Sequence, residues 1–473
     1  MTHSDTIAAL SSGTLPAGVA VVRVSGPAAR EVMEHLAGSV PPERRASLRR
    51  FRDAADRTID RGIALFFPGP GSVTGEDLAE FHLHGGRAVV SAFLEAATGI
   101  PGVRLAVAGE FTRRGFENGR IDLTEAEGLA DLLAASTEAQ RRMAVAQAGG
   151  ALRALYEGWM RDLTNARAMI EASFDFADEG DVADDVASGV ERQVAEVADA
   201  MRTHLAKAAR GEILREGFKV AIVGAPNAGK SSLLNALADR KVAIVTEIPG
   251  TTRDVIEATL DLGGIPVRFS DTAGIRETAD RIEAMGIERA RAVMDEADLI
   301  LALVDPHAGP TTLEWLSGLL THVKHPLMLA GQEPAPDETP EDQHASTRPI
   351  LTIRTKIDQD ELTGGAPLHD PGCDLAISTR TGEGLADLVD RIANIAATAA
   401  GDPDDVVPAR TRHRELIGDA LRLLTEFQAA PDMPAEVRAE TLRRTSHRLG
   451  ALTGQVGVED LLEVIFSEFC IGK

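Results

Sequence analysis

The sequence predicts a multidomain α/β plus α protein, with an N-terminal α+β domain, a helical domain built from two separated segments, and an α/β domain inserted between them. Three observations carry this reading. At 473 residues the chain suggests about three domains of roughly 150 residues each. Its hydrophobic pattern changes character along the chain, dividing it into residues 1–120, 121–214, 215–400 and 401–473. Finally, a glycine-rich segment lies between a strand-like and a helix-like run inside the third block.

The first block alternates short β-rich runs at 19–24, 63–67 and 78–83 with Gly and Pro, and carries one helix-like stretch at 88–97. From about Leu123 the spacing becomes helical, as in Leu152, Leu155, Trp159, Leu163, Ala166 and Ile170, and continues to about Leu214. The acidic stretch 175–185 reads as a break. Residues 218–397 alternate apolar strands with helices, the order of a mostly parallel sheet covered on both faces. Strands are expected at 218–223, 256–262, 266–270, 299–304, 350–354 and 375–377, with Gly263 and Gly264 turning the second into the third as an antiparallel hairpin. The Pro- and acid-rich stretch 331–349 reads as an exposed loop. Helical spacing returns with Leu416, Ala420, Leu423 and Phe427, then Leu461, Leu462, Ile465, Phe466 and Phe469.

Composition narrows the class. Apolar residues make up 44% and charged residues 26%, values of a folded globular chain. A net charge of −24 repels phosphate on average, so contact with nucleic acid must be local. Three arginine groups offer such patches or are simply solvated helix faces: Arg44, Arg45, Arg49, Arg50 and Arg52; Arg410, Arg412 and Arg414; and Arg438, Arg443, Arg444 and Arg448. Two cysteines, Cys373 and Cys470, are too few for a disulfide framework or a thiolate metal site. No run approaches ~18 apolar residues, and the N-terminus lacks a basic and apolar leader. A cytoplasmic protein without a membrane segment is expected.

Gly224-Ala225-Pro226-Asn227-Ala228-Gly229-Lys230-Ser231 follows an apolar strand and opens a helical run at Ser232, the setting a phosphate-binding loop requires. Backbone N–H groups from Asn227 to Ser232 and the helix N-terminus suit the α- and β-phosphates, Lys230 reaches β and γ, and Ser231 is a Mg²⁺ ligand. Asp271-Thr272-Ala273-Gly274 ends the hairpin strand, where an aspartate can hold the magnesium shell and a glycine amide can meet the γ-phosphate. Between the two lies Gly250-Thr251-Thr252-Arg253-Asp254, with Thr252 set to be a second Mg²⁺ ligand.

Thr355-Lys356-Ile357-Asp358 follows a strand, and the carboxylate of Asp358 can accept from N1–H and N2–H of guanine but would face an acceptor in adenine. The element is similar to the Asn-Lys-x-Asp of Ras-like P-loop G domains, with Thr355 in place of Asn. Ser378-Thr379-Arg380 matches the loop that follows it. Ile275 stands where Ras-like proteins orient water with Gln, so Arg276, Glu277, Asp280 and Glu283 are the candidates for that work, or exposed charges on a helix start.

These motifs, together with Asp5-Thr6-Ile7-Ala8-Ala9, Val22-Arg23-Val24-Ser25-Gly26, Pro68-Gly69-Pro70, Thr74-Gly75-Glu76-Asp77, His84-Gly85-Gly86, Gly109-Glu110-Phe111-Thr112 and the chain end Phe469-Cys470-Ile471-Gly472-Lys473, resemble the tRNA-modification GTPases of the MnmE (TrmE) family over nearly the whole chain. The resemblance implies an N-terminal folate-binding and dimerisation domain, a discontinuous helical domain and an inserted G domain. It extends the nucleotide contacts to Thr246, Glu247, Ile248 and Pro249, and implies K⁺-activated hydrolysis with Asn227, Thr246, Ile248 and Thr251 as ligands. Glu283 matches the glutamate that orients the attacking water through a second water. A 5,10-methylene- or 5-formyl-tetrahydrofolate site falls on Arg23, Glu80, Arg120 and Lys473, with Arg120 where Lys is usual. Cys470 is either a thiol near the folate or a buried helical cysteine.

The same resemblance implies a homodimer that joins an FAD-containing partner in a heterotetramer and acts on tRNA. There it would add an aminomethyl or carboxymethylaminomethyl group at C5 of the wobble uridine. The alternative is a ribosome-assembly GTPase switch, which leaves the N-terminal block and the chain end unexplained.

Overall fold

The computed structural model describes residues 4–175, 180–239, 243–244, 257–271, 292–305, 327–329, 348–359, 373–456, 462, 465–467, 469 and 472. They gather into two compact units. One comprises Met1–Leu133, Val145–Arg202 and Glu415–Lys473, the other Ala134–Ala144 and Thr203–Arg414.

The first unit opens with a six-stranded sheet of β1 (Thr6–Leu10), β2 (Ala17–Ser25), β3 (Ser47–Arg52), β4 (Thr58–Phe67), β5 (Leu78–Gly85) and β6 (Val103–Leu105). Its order is β3-β4-β5-β2-β1-β6, antiparallel except between β1 and β6. Helices α1 (Ala29–Ala37) and α2 (Arg87–Thr98) cover one face. Alternation along β2 sends Val22 and Val24 to that side and Arg23 to the other. Phe51, Phe81 and Phe93 pack there with centroids 4.8 to 5.6 Å apart, and burying each contributes about 1.5–3 kcal/mol. The first arginine group is not a helix face: Arg49, Arg50 and Arg52 lie on β3, an edge strand, where charge blocks further strand pairing.

Helices α3 (Glu110–Glu117) and α4 (Leu123–Ala134) lead to the long α6 (Ala151–Asp175) and α7 (Gly180–Ala206), with α5 (Glu138–Ala148) between. Leu152, Trp159, Leu163, Ala166 and Ile170 are buried as their spacing predicts, but Tyr156 rather than Leu155 takes the second inward position. Residues 180–185 begin a helix instead of breaking one, since acidic residues are favoured in a first turn. α6 packs along α12 (Ala435–Thr453), which follows α11 (Thr411–Ala429). Near the chain end, Leu462, Ile465, Phe466 and Phe469 close over Leu123 and Ala126. The backbone of Gly472 reaches β1, where an added Cβ would come 2.0 Å from the Leu10 carbonyl oxygen.

The second unit is a sheet of β7 (Phe218–Gly224), β8 (Ala243–Ile244), β9 (Glu257–Leu262), β10 (Ile265–Asp271), β11 (Leu299–Val304), β12 (Leu327–Leu329), β13 (Arg348–Arg354) and β14 (Leu375–Ala376). It runs β12-β13-β11-β7-β10-β9-β8, with β14 beside β13. Leu262 pairs with Ile265 across Gly263 and Gly264, so the hairpin is as expected. β8 and β12, two and three residues long, carry no pattern of their own. Every residue of β11 is buried, as a strand covered on both faces requires. One face packs on α9 (Lys230–Ala238) and α10 (Leu385–Ala400), and on Ala139 and Met143 of α5 and Ile213 and Leu214 of α8 (Ala208–Glu216).

Candidate functional site

β7 delivers Gly224, and the chain then turns through Asn227 at φ 64° and Gly229 at φ 99° before α9 begins at Lys230. A side chain at Gly229 would be strained at that φ, and no side chain caps the helix start, which leaves its amide end as an anion-binding position. Lys230 is buried, and its ammonium donates to the carbonyl oxygens of Gly224 and Ala225 at 2.8 and 3.0 Å. The lysine thus lies back along the loop it serves. Ala228 is buried, Asn227 exposed, and Ser231 and Ser232 occupy the first turn of α9.

Thr355 follows β13, beside β11 and one strand from β7, and its hydroxyl donates to the Ala228 carbonyl oxygen at 2.9 Å. The side chain is buried, and its amide donates to Val304 O at 2.9 Å. Threonine therefore supplies the brace between base-recognition element and phosphate loop, although Asn is the usual residue there. Lys356, at φ 60°, donates to Oδ2 of buried Asp305 at 2.7 Å. Asp305 was missed in the sequence, although a carboxylate just past the C-terminal end of a buried strand marks the ligand crevice of an open α/β sheet.

Asp358 sits between two donors. Ser378 Oγ bonds Oδ1 at 2.7 Å and Arg380 Nε lies 2.8 Å from Oδ2. The Ser378 hydrogen bond, then the Arg380 charge, holds this carboxyl below the usual range, so it is ionised and accepting at neutral pH. Ser378 is buried and also accepts from the amides of Arg380 and Thr381, which shapes the loop around Thr379. Asp271 ends β10 opposite Ile222 of β7, so its backbone stands beside the strand that feeds the phosphate loop. Thr246, Glu247, Ile248, Pro249, Gly250, Thr251, Thr252, Thr272, Ala273, Gly274 and Glu283 lie outside the described residues, as do Cys470 and Lys473.

A second concavity of about 320 Å³ lies in the N-terminal unit and brings together Glu80 and Arg120 with Phe67, Leu78 and Ile121. Arg23 is next to it, donating from Nε and Nη2 to Glu80 Oε1 at 3.1 and 2.8 Å. The loop at its edge is fastened from below. Buried Arg114 lies 3.2 Å from Glu76 Oε2, Ser25 donates to the same carboxylate at 2.8 Å, and Asn118 donates to Thr74 O at 2.7 Å. No spacing rule points to Arg114 in the sequence, because its partners at Asp5 and Glu76 are far away in the chain.

Phosphate loop, guanine-side carboxylate and parallel sheet together define a P-loop GTP-binding protein. A family model described as "GTP-binding protein TrmE N-terminus" matches residues 6–120, and one described as "MnmE helical domain" matches 123–470. A protein of Mesorhizobium japonicum named "tRNA modification GTPase MnmE" is 50% identical over 474 residues, covering 100% of both chains. Proteins of the same name from Brucella anthropi and Rhizobium johnstonii are 49% and 47% identical, over 99% of this chain and 98% and 99% of theirs. The chain belongs to the MnmE (TrmE) family of tRNA-modification GTPases, so the resemblance carried by the motifs holds over its full length.

Proposed function

We propose that this GTPase of tRNA modification is the hydrolytic component of a complex that adds an aminomethyl or carboxymethylaminomethyl group to C5 of the wobble uridine. The new carbon would come from 5,10-methylenetetrahydrofolate. The observation that carries the reading is the combination, in one chain, of a guanine-selective carboxylate at Asp358 with an N-terminal block that matches TrmE over residues 6–120.

In the G domain, Asp358 accepts from the guanine edge, Thr355 holds the loop under it, and Lys230 compensates charge on the β- and γ-phosphates. Ser231 and Thr252 would hold Mg²⁺, with Asp271 in its outer shell. Asn227, Thr246, Ile248 and Thr251 would hold K⁺. Hydroxyl, amide and backbone oxygens suit such hard cations, and among the described residues no cluster of His, Cys, Asp and Glu offers a softer site. The two ions supply positive charge where phosphoryl transfer develops negative charge. Glu283 orients the attacking water, the work that Gln does in Ras-like proteins.

A concavity with an apolar wall, one carboxylate and one guanidinium fits a flat N–H-bearing heterocycle with an anionic tail. Arg23, Glu80, Arg120 and Lys473 would hold it as 5-formyl- or 5,10-methylene-tetrahydrofolate, and Gly472 beside β1 supports the approach of the chain end to this domain. Leu48 and Ile63, directly paired and exposed on the uncovered sheet face with Val19, support a homodimer. An FAD-containing partner, tRNA and a cytoplasmic location complete the proposal. Among the described residues no helix is long and apolar enough to cross a membrane.

The test compares GTP hydrolysis by the full chain in K⁺ and in Na⁺, and measures binding of 5-formyltetrahydrofolate. Faster turnover in K⁺ with folate bound is expected; a rate indifferent to K⁺ and no folate binding would overturn the proposal.

A further inference from the structure

Arg44 is a cation of the N-terminal concavity to which the family resemblance gives no role. It precedes β3 at φ 57°, and its amide donates to Phe66 O at 2.9 Å, which ties it to the end of β4. Its guanidinium lies 5.5 Å from the centre of the Phe67 ring and donates from Nη2 to the Gly71 carbonyl oxygen. One of five N–H donors is thereby committed, and ring and carbonyl together orient the fork.

Arg120 approaches the same loop from the other side. At Gly75, φ is +78° and an added Cβ would come 2.8 Å from Asn118 Cβ and 3.3 Å from Arg120 Cγ, so only glycine lets the arginine stem pass. Two guanidiniums thus flank one glycine-containing loop, and both line the concavity that Glu80 also lines.

Strand register orders these charges. Leu65 pairs with Glu80 and Phe67 with Leu78, so the ring under Arg44 lies two residues along the strands from Glu80, roughly 7 Å. The concavity is acidic at one end, suited to the N–H groups of a heterocycle, and cationic at the other. A carboxylate tail laid along it from Glu80 would end at Arg44.

We propose that Arg44 is a specificity-determining ligand contact that takes tail carboxylates of a γ-glutamylated pterin, so that this site favours polyglutamyl over monoglutamyl folate. The inference rests on reading the concavity as the folate site.

The experiment measures equilibrium binding to the full chain of 5-formyltetrahydrofolate carrying one or three glutamates, for the unmodified protein, Arg44→Gln and Arg44→Lys, at low and high salt. Gln keeps a donor for Gly71 and removes the charge. The unmodified protein should bind the triglutamate roughly tenfold tighter, as one charged hydrogen-bonding contact implies, with the ratio shrinking in salt. Arg44→Gln should bring it near one, and Arg44→Lys should retain part of it. Equal binding of the two forms by the unmodified protein, or an unchanged ratio in both variants, would overturn the role of Arg44 and leave the folate reading standing. Absence of binding by either form would overturn both. Variants that keep the ratio but lose tRNA affinity would make Arg44 an RNA contact and also overturn the inference.

Discussion

The hydroxyl of Thr355 donates to the carbonyl oxygen of Ala228 across 2.9 Å, joining residues 127 positions apart in the sequence. This bond couples the element that selects the base to the loop that holds the phosphates. Removing it with Thr355→Val leaves a buried carbonyl without that donor, a cost of about 1–2 kcal/mol. The Kd for GDP should rise roughly tenfold, and Thr355→Asn should restore it. Titration calorimetry of the three proteins checks this, and unchanged affinity in the valine variant would remove the brace from the account.

Base choice rests on the acceptor-only carboxylate of Asp358. In Asp358→Asn an amide N–H replaces one oxygen and meets a guanine donor. GTP affinity should fall on the order of a hundredfold, while xanthosine triphosphate, which presents a carbonyl there, should gain. Competition binding with the two nucleotides reads the exchange directly.

Burial pushes the Asp122 carboxyl up to about 6. Its Oδ1 accepts from the Glu125 amide and the Thr124 hydroxyl at the start of α4, but its buried Oδ2 has no partner. The folded state therefore binds the proton more tightly than the unfolded chain, whose carboxyl titrates near 3.9. Stability from this group is complete below about pH 4 and is lost as pH rises through 6. The loss reaches about 3 kcal/mol at neutral pH. Asp122→Asn keeps the capping acceptor and should be more stable than the unmodified protein at pH 7.5, by up to that amount, but equal at pH 4. Burial also lowers His204 to about 4, which gives a slope of opposite sign between pH 4 and 6.5. Because both proteins carry His204, denaturant melts compared at each pH isolate Asp122.

Glu283→Ala should leave GTP affinity nearly intact and lower kcat roughly a hundredfold, within the range of a positioned acid–base group. Single-turnover hydrolysis checks this. An unchanged rate would make Glu283 a surface charge.

Legibility in the sequence followed the range of the interactions involved. The hairpin at Gly263 and Gly264 and the apolar run of β11 are local patterns, and both appear where expected. β1 is short and alanine-rich, with partners at Val22 to Ser25 on one side and Val103 to Leu105 on the other, so no local period reveals it. Asp358 and Ser378 could be named from their motifs, but the hydrogen bond between them spans 20 positions and required the fold. Arg44 was legible only as one of a row of arginines. Its place beside Phe67 depends on a left-handed backbone and on a loop carbonyl 27 residues away.

Hydrolysis of GTP and of ATP by the full-length chain, measured side by side with Mg²⁺ and K⁺, tests the central claim most directly. The account predicts turnover of GTP, at least a hundredfold preference over ATP from the bonds to Asp358, and loss of that preference in Asp358→Asn. Comparable hydrolysis of the two nucleotides by the unmodified protein would contradict it.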